Sequence, residues 1–295
     1  MKGILKWIIQ FIVALISILF ISGAPLLIGG FQKGEFLWRE YLETIQFHVV
    51  SLIHISEITV DYSNGYRQVK QIPVFPKIIE YMTYSLQLLV LALGAAILVA
   101  LIGTFVTMLI SEKMRSRVKL VFYFLETLPD ILIITLAQLI VVVIFEKTGI
   151  LVSKIAVIGD ERIYWLPVLC LMILPMIQLY RLSMITFEAE ERQSYVELAR
   201  SLGFGKSFIL FIHIFRNAII SVFFQSKKNM WFMLSNLFIL ELMFNIPGIM
   251  LYMFDNLSGI LFLITVLSFF VPIFVLYSIG EWYFMRRLKS GGATR

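Results

Sequence analysis

Gly205-Lys206-Ser207 reads like the end of a phosphate-binding loop, in which backbone amides cradle phosphates and a lysine reaches them. The glycine such a loop needs five positions earlier is Arg200, and no apolar strand leads into it, so this chain is not expected to bind ATP itself. His48, His54 and His213 fall in separate parts of the expected topology, so no metal cluster is expected, and His213 is expected to bond a neighbouring loop carbonyl. Cys170 is the single cysteine, which excludes a disulfide framework and leaves too few thiolates for a zinc or iron–sulfur site. Asp130, Gln138, Gln178, Asn236 and Glu241 lie inside long apolar stretches. A charge at the centre of a membrane helix costs about 2.5–3.5 kcal/mol on insertion scales, so such groups need a facing partner or water. These five are expected to line a central path, although Gln138 or Asn236 could instead be hydrogen-bond glue between helices, and Glu126 could snorkel from a helix end.

The elements that must position these groups are read from the apolar pattern. Of the 295 residues, 60% are hydrophobic and 15% charged, with a mean hydropathy of +0.90. A soluble domain has about a quarter of its residues charged, so the chain is an all-α, polytopic membrane protein. Crossing a hydrocarbon core of roughly 30 Å takes about 20 residues at 1.5 Å each. Six segments meet or approach that length: 7–28, 84–110, 119–145, 164–184, 218–244 and 260–282. The net charge of +6 is clustered at the ends of these segments, which is a topology signal rather than a nucleic-acid footprint.

With both termini inside, fifteen basic residues face the cytoplasm, among them Lys113, Arg115, Arg117, Lys119, Arg192, Arg200, Lys206 and Arg216, against eight outside. The positive-inside rule therefore expects cytoplasmic termini in the cell membrane. Small residues at Ser22-Gly23-Ala24 imitate a signal-peptidase site, but Pro25 and the length of the apolar run favour a retained first span. Residues 1–83 are read as that span plus a long outer loop, residues 84–285 as a five-span core, and 286–295 as a cytoplasmic tail. In the outer loop, Glu57 to Tyr62 alternates in the manner of a short strand and Ser63-Asn64-Gly65 signals a turn. Lys227 and Lys228 fall about 15 Å along the fifth span. Either that span starts nearer Met230, or the lysines face a wet vestibule and meet an anionic group of cargo or lipid. Pro129, Pro167, Pro175, Pro247 and Pro272 would kink or end helices.

One compact hydrophilic segment, Tyr195 to Ser207, followed by His213-Ile214-Phe215-Arg216-Asn217-Ala218, separates two apolar stretches. Tyr195, Leu198, Ala199 and Leu202 stand at i, i+3, i+4 and i+7, giving one apolar stripe, with Glu197, Arg200 and Ser201 away from it. Gly203 falls where a helix end needs a residue free to adopt positive φ. The spacing predicts a short helix, a sharp turn and a second, basic helix.

The ordered series Tyr195-Val196, Ala199-Arg200, Gly203, His213 and Arg216-Asn217-Ala218 resembles the cytoplasmic loop of permease subunits of binding-protein-dependent ABC importers, in the oligopeptide, dipeptide and nickel branch. Leu128-Pro129, Leu166-Pro167, Pro73-Val74 and Glu241 before Phe244-Asn245-Ile246-Pro247-Gly248 agree in order, so the resemblance covers roughly 40–290. Glu197-Leu198, Gln225 to Asn229, and Gly23 to Leu27 depart from the family pattern. The resemblance implies a type I ABC importer permease fold and a second, homologous permease subunit. It also implies two cytosolic ATPases that bind the ATP, an extracytoplasmic substrate-binding protein, and no cofactor or covalent chemistry in this chain. It implies that about 187–217 is a coupling loop, carried by Tyr195, Glu197, Leu198, Ala199, Arg200, Leu202, Gly203, His213, Arg216 and Asn217. Ala199 would then permit close approach to an ATPase, with Leu198 and Leu202 as apolar anchors. Peptides are the leading cargo, with nickel or a metal chelate second.

Two other classes compete. An intramembrane protease would need His-Glu-x-x-His, Gly-x-Gly-Asp or paired intramembrane aspartates, and none occurs. An ion-coupled secondary carrier would be expected to show inverted repeats with interrupted helices in matching halves, and no internal repeat is evident. A lipid-surface amphipathic helix would explain the charges at 187–217 but not the ordered series.

Overall fold

The computed structural model describes residues 2–32, 34–63, 69–159, 161–256 and 258–292. Among them, six helical segments are long and apolar enough to cross a membrane: Leu5–Phe31, Lys77–Leu109, Asp130–Thr148, Trp165–Glu191, Lys206–Met243 and Gly259–Arg286. The chain forms two compact units, one of Met1–Leu86 with Pro247–Tyr283, the other of Gln87–Ile246 with Phe284–Arg295.

In the first unit, α1 (Lys2–Ser22) and α2 (Ala24–Gln32) are separated only by Gly23, with Pro25 in the first turn of α2. A Cβ on Gly23 would sit 2.9 Å from the Tyr41 ring, so the break lets α3 (Trp38–Ile53) lie close. The Tyr41 hydroxyl donates to the Phe20 carbonyl at 2.9 Å, and Ser22 Oγ meets His48 Nδ1 at 2.8 Å. α3 is a correction to the sequence reading, which left this stretch as loop because its polar face hides it from a hydropathy scan. Strands β1 (Thr59–Ser63) and β2 (Val69–Pro73) pair antiparallel, Thr59 opposite Pro73, as the alternation at 57–62 anticipates. The expected turn residues Asn64 and Gly65 lie outside the described residues, as do 293–295 of the tail. The start of α4 (Lys77–Leu109), α11 (Ile249–Asn256) and most of α12 (Gly259–Gly292) complete this unit. Ser85 Oγ accepts the Ile249 amide at 2.9 Å and so satisfies the first turn of α11.

The second unit holds the rest of α4, then α5 (Glu112–Leu125), α6 (Asp130–Thr148), α7 (Trp165–Glu191), α8 (Ser194–Ser201), α9 (Lys206–Phe208) and α10 (Phe215–Met243). The expected span 119–145 is two helices. Pro129 cannot donate an amide and disfavours helix at the preceding residue, so α5 ends at Leu125 and α6 begins after Pro129. Glu126 at that break pairs with Arg181 Nε at 3.0 Å rather than snorkelling alone. Between α9 and α10, Ile209–Ile214 is π-helical, a register slip that keeps 206–243 one continuous helical run. Lys227 and Lys228 therefore sit well inside a helix that starts at Phe215. Asn245 closes α10 with φ +50°, its side-chain amide donating to the Val157 carbonyl at 3.0 Å.

Candidate functional site

α8 is an eight-residue helix, too short to be stable alone, so its position depends on what it is tied to. Val196 is fully buried and Ala199 is 4% exposed, packed with Met108, Phe187, Ile209, Leu210 and Ile214. Leu198 and Leu202 are 61% and 67% exposed. This corrects the single apolar stripe read from spacing: its Ala199 edge, extended by Val196, faces the chain's own core, while its Leu198–Leu202 edge faces outward. Ala199 gives close approach to the chain's own helices, not an outward contact. Phe204 and Phe208, stacked at 5.0 Å, continue the exposed apolar surface beyond the turn.

The turn itself is as the sequence predicts. Gly203 has φ +85°, its amide donates to Arg200 O at 3.0 Å, and the Phe204 amide donates to Ala199 O at 3.2 Å. These are the two hydrogen bonds of a Schellman cap, which satisfies the last carbonyls of α8 and reverses the chain.

Three carboxylates at the end of α7 fasten this hairpin. Glu191 receives Arg115 Nη1 at 3.0 Å and Arg200 Nη2 at 2.9 Å. Glu188 receives Lys119 at 2.8 Å, with Arg115 3.9 Å away. Glu190 accepts from the Tyr195 hydroxyl and from Asn217 Nδ2 at 3.4 Å, and Asn217 also donates to the Tyr195 oxygen at 3.1 Å. Burial, then the bond to Glu190, pushes the Tyr195 phenol up to about 12, so it stays a donor at physiological pH. Arg115 Nη2 donates to Met108 O at 2.9 Å and Lys206 Nζ to Leu109 O at 3.4 Å, capping the last carbonyls of α4 with cations. Helices α4, α5, α7, α8, α9 and α10 thus meet at one charged joint.

The other loop residues are placed as follows. Glu197 and Arg216 are exposed. His213 is half-buried with its ring 6.1–6.5 Å from those of Tyr195, Phe204 and Phe208, and makes no hydrogen bond among the described residues, correcting the expected carbonyl bond. Sequence reasoning missed Glu188, Glu190 and Glu191. Their signal was three carboxylates within four residues at the end of a span in a basic loop.

Residues 92–286 match the family described as binding-protein-dependent transport system inner membrane component. The chain belongs to that family. It is an ABC importer permease subunit, a multi-pass membrane protein of a family that works with ABC ATPases and binding proteins. No curated protein sequence matches the chain.

For this permease, the polar groups within the spans divide. Gln138 Nε2 donates to Ile155 O at 2.9 Å and Met243 O at 3.1 Å, so it ties α6 to the segment after it and to the end of α10 and is glue rather than lining. Asn236 is 9% exposed and hydrogen-bonds Asp130, and Glu241 is fully buried, which corrects the expectation that both face an open path. Asp130, at the first turn of α6, and Gln178, on α7, are half-buried.

Proposed function

We propose that this permease imports peptides and takes its mechanical input at the α8 hairpin. The observation that carries the reading is the exposed apolar patch of Leu198, Leu202, Phe204 and Phe208 on a hairpin braced by Glu188, Glu190 and Glu191. An apolar anchor with charged neighbours suits the groove of a cytosolic ATPase, where burial of the leucines supplies affinity and Arg200, Lys206 and Arg216 steer an acidic rim. Closure of two ATPases on ATP would pull the hairpin, and the charged joint would pass the displacement to α4, α5, α7 and α10, tilting the spans for alternating access. A second, homologous permease completes the pathway and a binding protein delivers cargo from outside, with both termini cytoplasmic as the basic residues indicate. Peptide cargo rests on the resemblance of the loop series to the oligopeptide, dipeptide and nickel branch.

The test is a cysteine crosslink. With Cys170→Ala as background, Leu202→Cys should crosslink to an ATPase subunit in the assembled importer, and proteoliposome uptake of a short peptide should require ATP and the companion subunits. Uptake driven by an ion gradient alone, or no crosslink from either Leu198→Cys or Leu202→Cys, would refute it.

A further inference from the structure

Along α10, Phe224, Lys228, Trp231, Ser235 and Leu242 are exposed, and they stand at i, i+4, i+7, i+11 and i+18. That spacing is a single helical face. The opposite face, with Val222, Ser226, Asn229, Met233, Leu237 and Leu240, is buried. Lys228 is therefore turned away from the packing of its own subunit, and among the described residues it forms no hydrogen bond or ion pair. Lys227, one position round the helix, is half-buried and already engaged.

Depth decides what Lys228 meets. It lies thirteen residues from Phe215 and fifteen from Met243, about 20 Å and 22 Å along the axis. For a hydrocarbon core about 30 Å thick centred on this helix, the two headgroup boundaries are roughly 14 and 16 Å away. Four methylenes cover less than half of either distance, so with the core centred on α10 the Lys228 ammonium does not reach a headgroup. A charged amine at this depth requires water or an opposing charge. Ser235, two turns further along the same face, extends the polar lane beyond what one fixed ion pair needs.

We infer that Lys228 faces the translocation pathway and binds a carboxylate of the cargo, with the flanking Phe224 and Trp231 as apolar walls. Resting on the peptide reading above, the carboxylate is the peptide's free C-terminus, which every unmodified peptide carries whatever its side chains. The ammonium can pair with it by a charge-assisted hydrogen bond as the peptide passes.

Two measurements on the assembled importer test this. In the Cys170→Ala background, Lys228→Cys and Ser235→Cys should react with a membrane-impermeant anionic thiosulfonate. Protection of both in every nucleotide state would mean that protein or lipid covers this face, and overturns the inference. In proteoliposomes, uptake of tetra-alanine is compared with uptake of its C-terminal amide. Wild type should prefer the acid by about tenfold or more, the range of a hydrogen bond to a charged group. Lys228→Met should abolish that preference by slowing the acid alone, and Lys228→Arg should keep it. An undiminished preference in Lys228→Met, or an equal fall for both peptides, assigns the lysine to the partner subunit or to structure and overturns the inference while leaving peptide import intact. Import of neither peptide by wild type overturns the peptide reading and the C-terminal assignment together, with thiol labelling still reporting whether the face is wet.

Discussion

Arg115 and Arg200 hold opposite oxygens of one carboxylate, that of Glu191, at 3.0 and 2.9 Å. Arg115 belongs to α5 and Arg200 to α8, so one side chain of α7 joins a helix following the second span to the hairpin that protrudes from the loop. The Arg115 side chain is only 9% exposed, and removing one partner of a largely buried pair strands the other charge. Glu191→Gln is expected to weaken the joint by up to about 3 kcal/mol. ATP hydrolysis by the partner ATPases should continue while uptake of the cargo falls at least tenfold, measured as transport per ATP consumed. Equal transport per ATP in variant and wild type would show that the joint carries no displacement.

Leu198→Asp with Leu202→Asp places two charges on the exposed edge of α8 without touching Val196 or Ala199 beneath it. The permease should fold and reach the membrane normally. Its affinity for the ATPase pair, measured by pull-down or microscale binding, should fall by tenfold or more, because the loss falls on the apolar centre of the contact.

Gly203 separates two effects. Its positive φ disfavours any side chain, yet a Cβ there would meet no atom within 4 Å. Gly203→Ala is expected to cost about 1 kcal/mol through backbone strain alone and to leave transport near normal. Gly203→Arg adds bulk beside the proposed contact and should abolish uptake at similar thermal stability. Identical losses for the two variants would place the whole effect in the turn.

Tyr195 predicts an alkaline signature. Its phenol is raised from the ordinary 10 to about 12, so the stability it contributes is fully present below pH 10 and is lost as pH rises through about 12. Between pH 10 and 12, wild type should lose more stability than Tyr195→Phe, read by differential scanning fluorimetry in detergent.

His48 gives an acid signature in the first unit. Burial lowers its imidazole below the ordinary 6.5, so the neutral ring is the folded form, bonded to Ser22. The stability it contributes is present above pH 6.5 and is lost as pH falls through the lowered value. His48→Gln should flatten the drop in melting temperature between pH 7 and pH 5. Gly259→Ala should destabilise at every pH, because its Cβ would sit 2.7 Å from the Ser22 carbonyl oxygen.

Much of this permease is legible from local pattern. Six apolar runs near 20 residues name the spans because a bilayer imposes one length on every crossing helix. Gly203 marks the end of α8 because a Schellman cap needs only the residues within one turn. The strand at 59–63 follows from alternation of period two. The failures lie where two local readings compete. Residues 119–145 are apolar enough for one span, yet Pro129 divides them, and α3 is too polar on one face to register against its neighbours.

Hydropathy and capping depend on neighbours in the chain, so membrane class, span number and the loop turn were set by the sequence itself. Which edge of α8 is buried was not, because Val196 and Ala199 are covered by Met108, Phe187 and Ile214, brought from other helices by tertiary packing. The same holds for Glu191, whose two arginines come from positions 76 and 9 residues away. It holds equally for Lys228, whose outward face is defined only by the burial of the opposite side of α10. Local chemistry names the parts of this permease, but contacts between distant segments decide which of those parts face outward and which lock together.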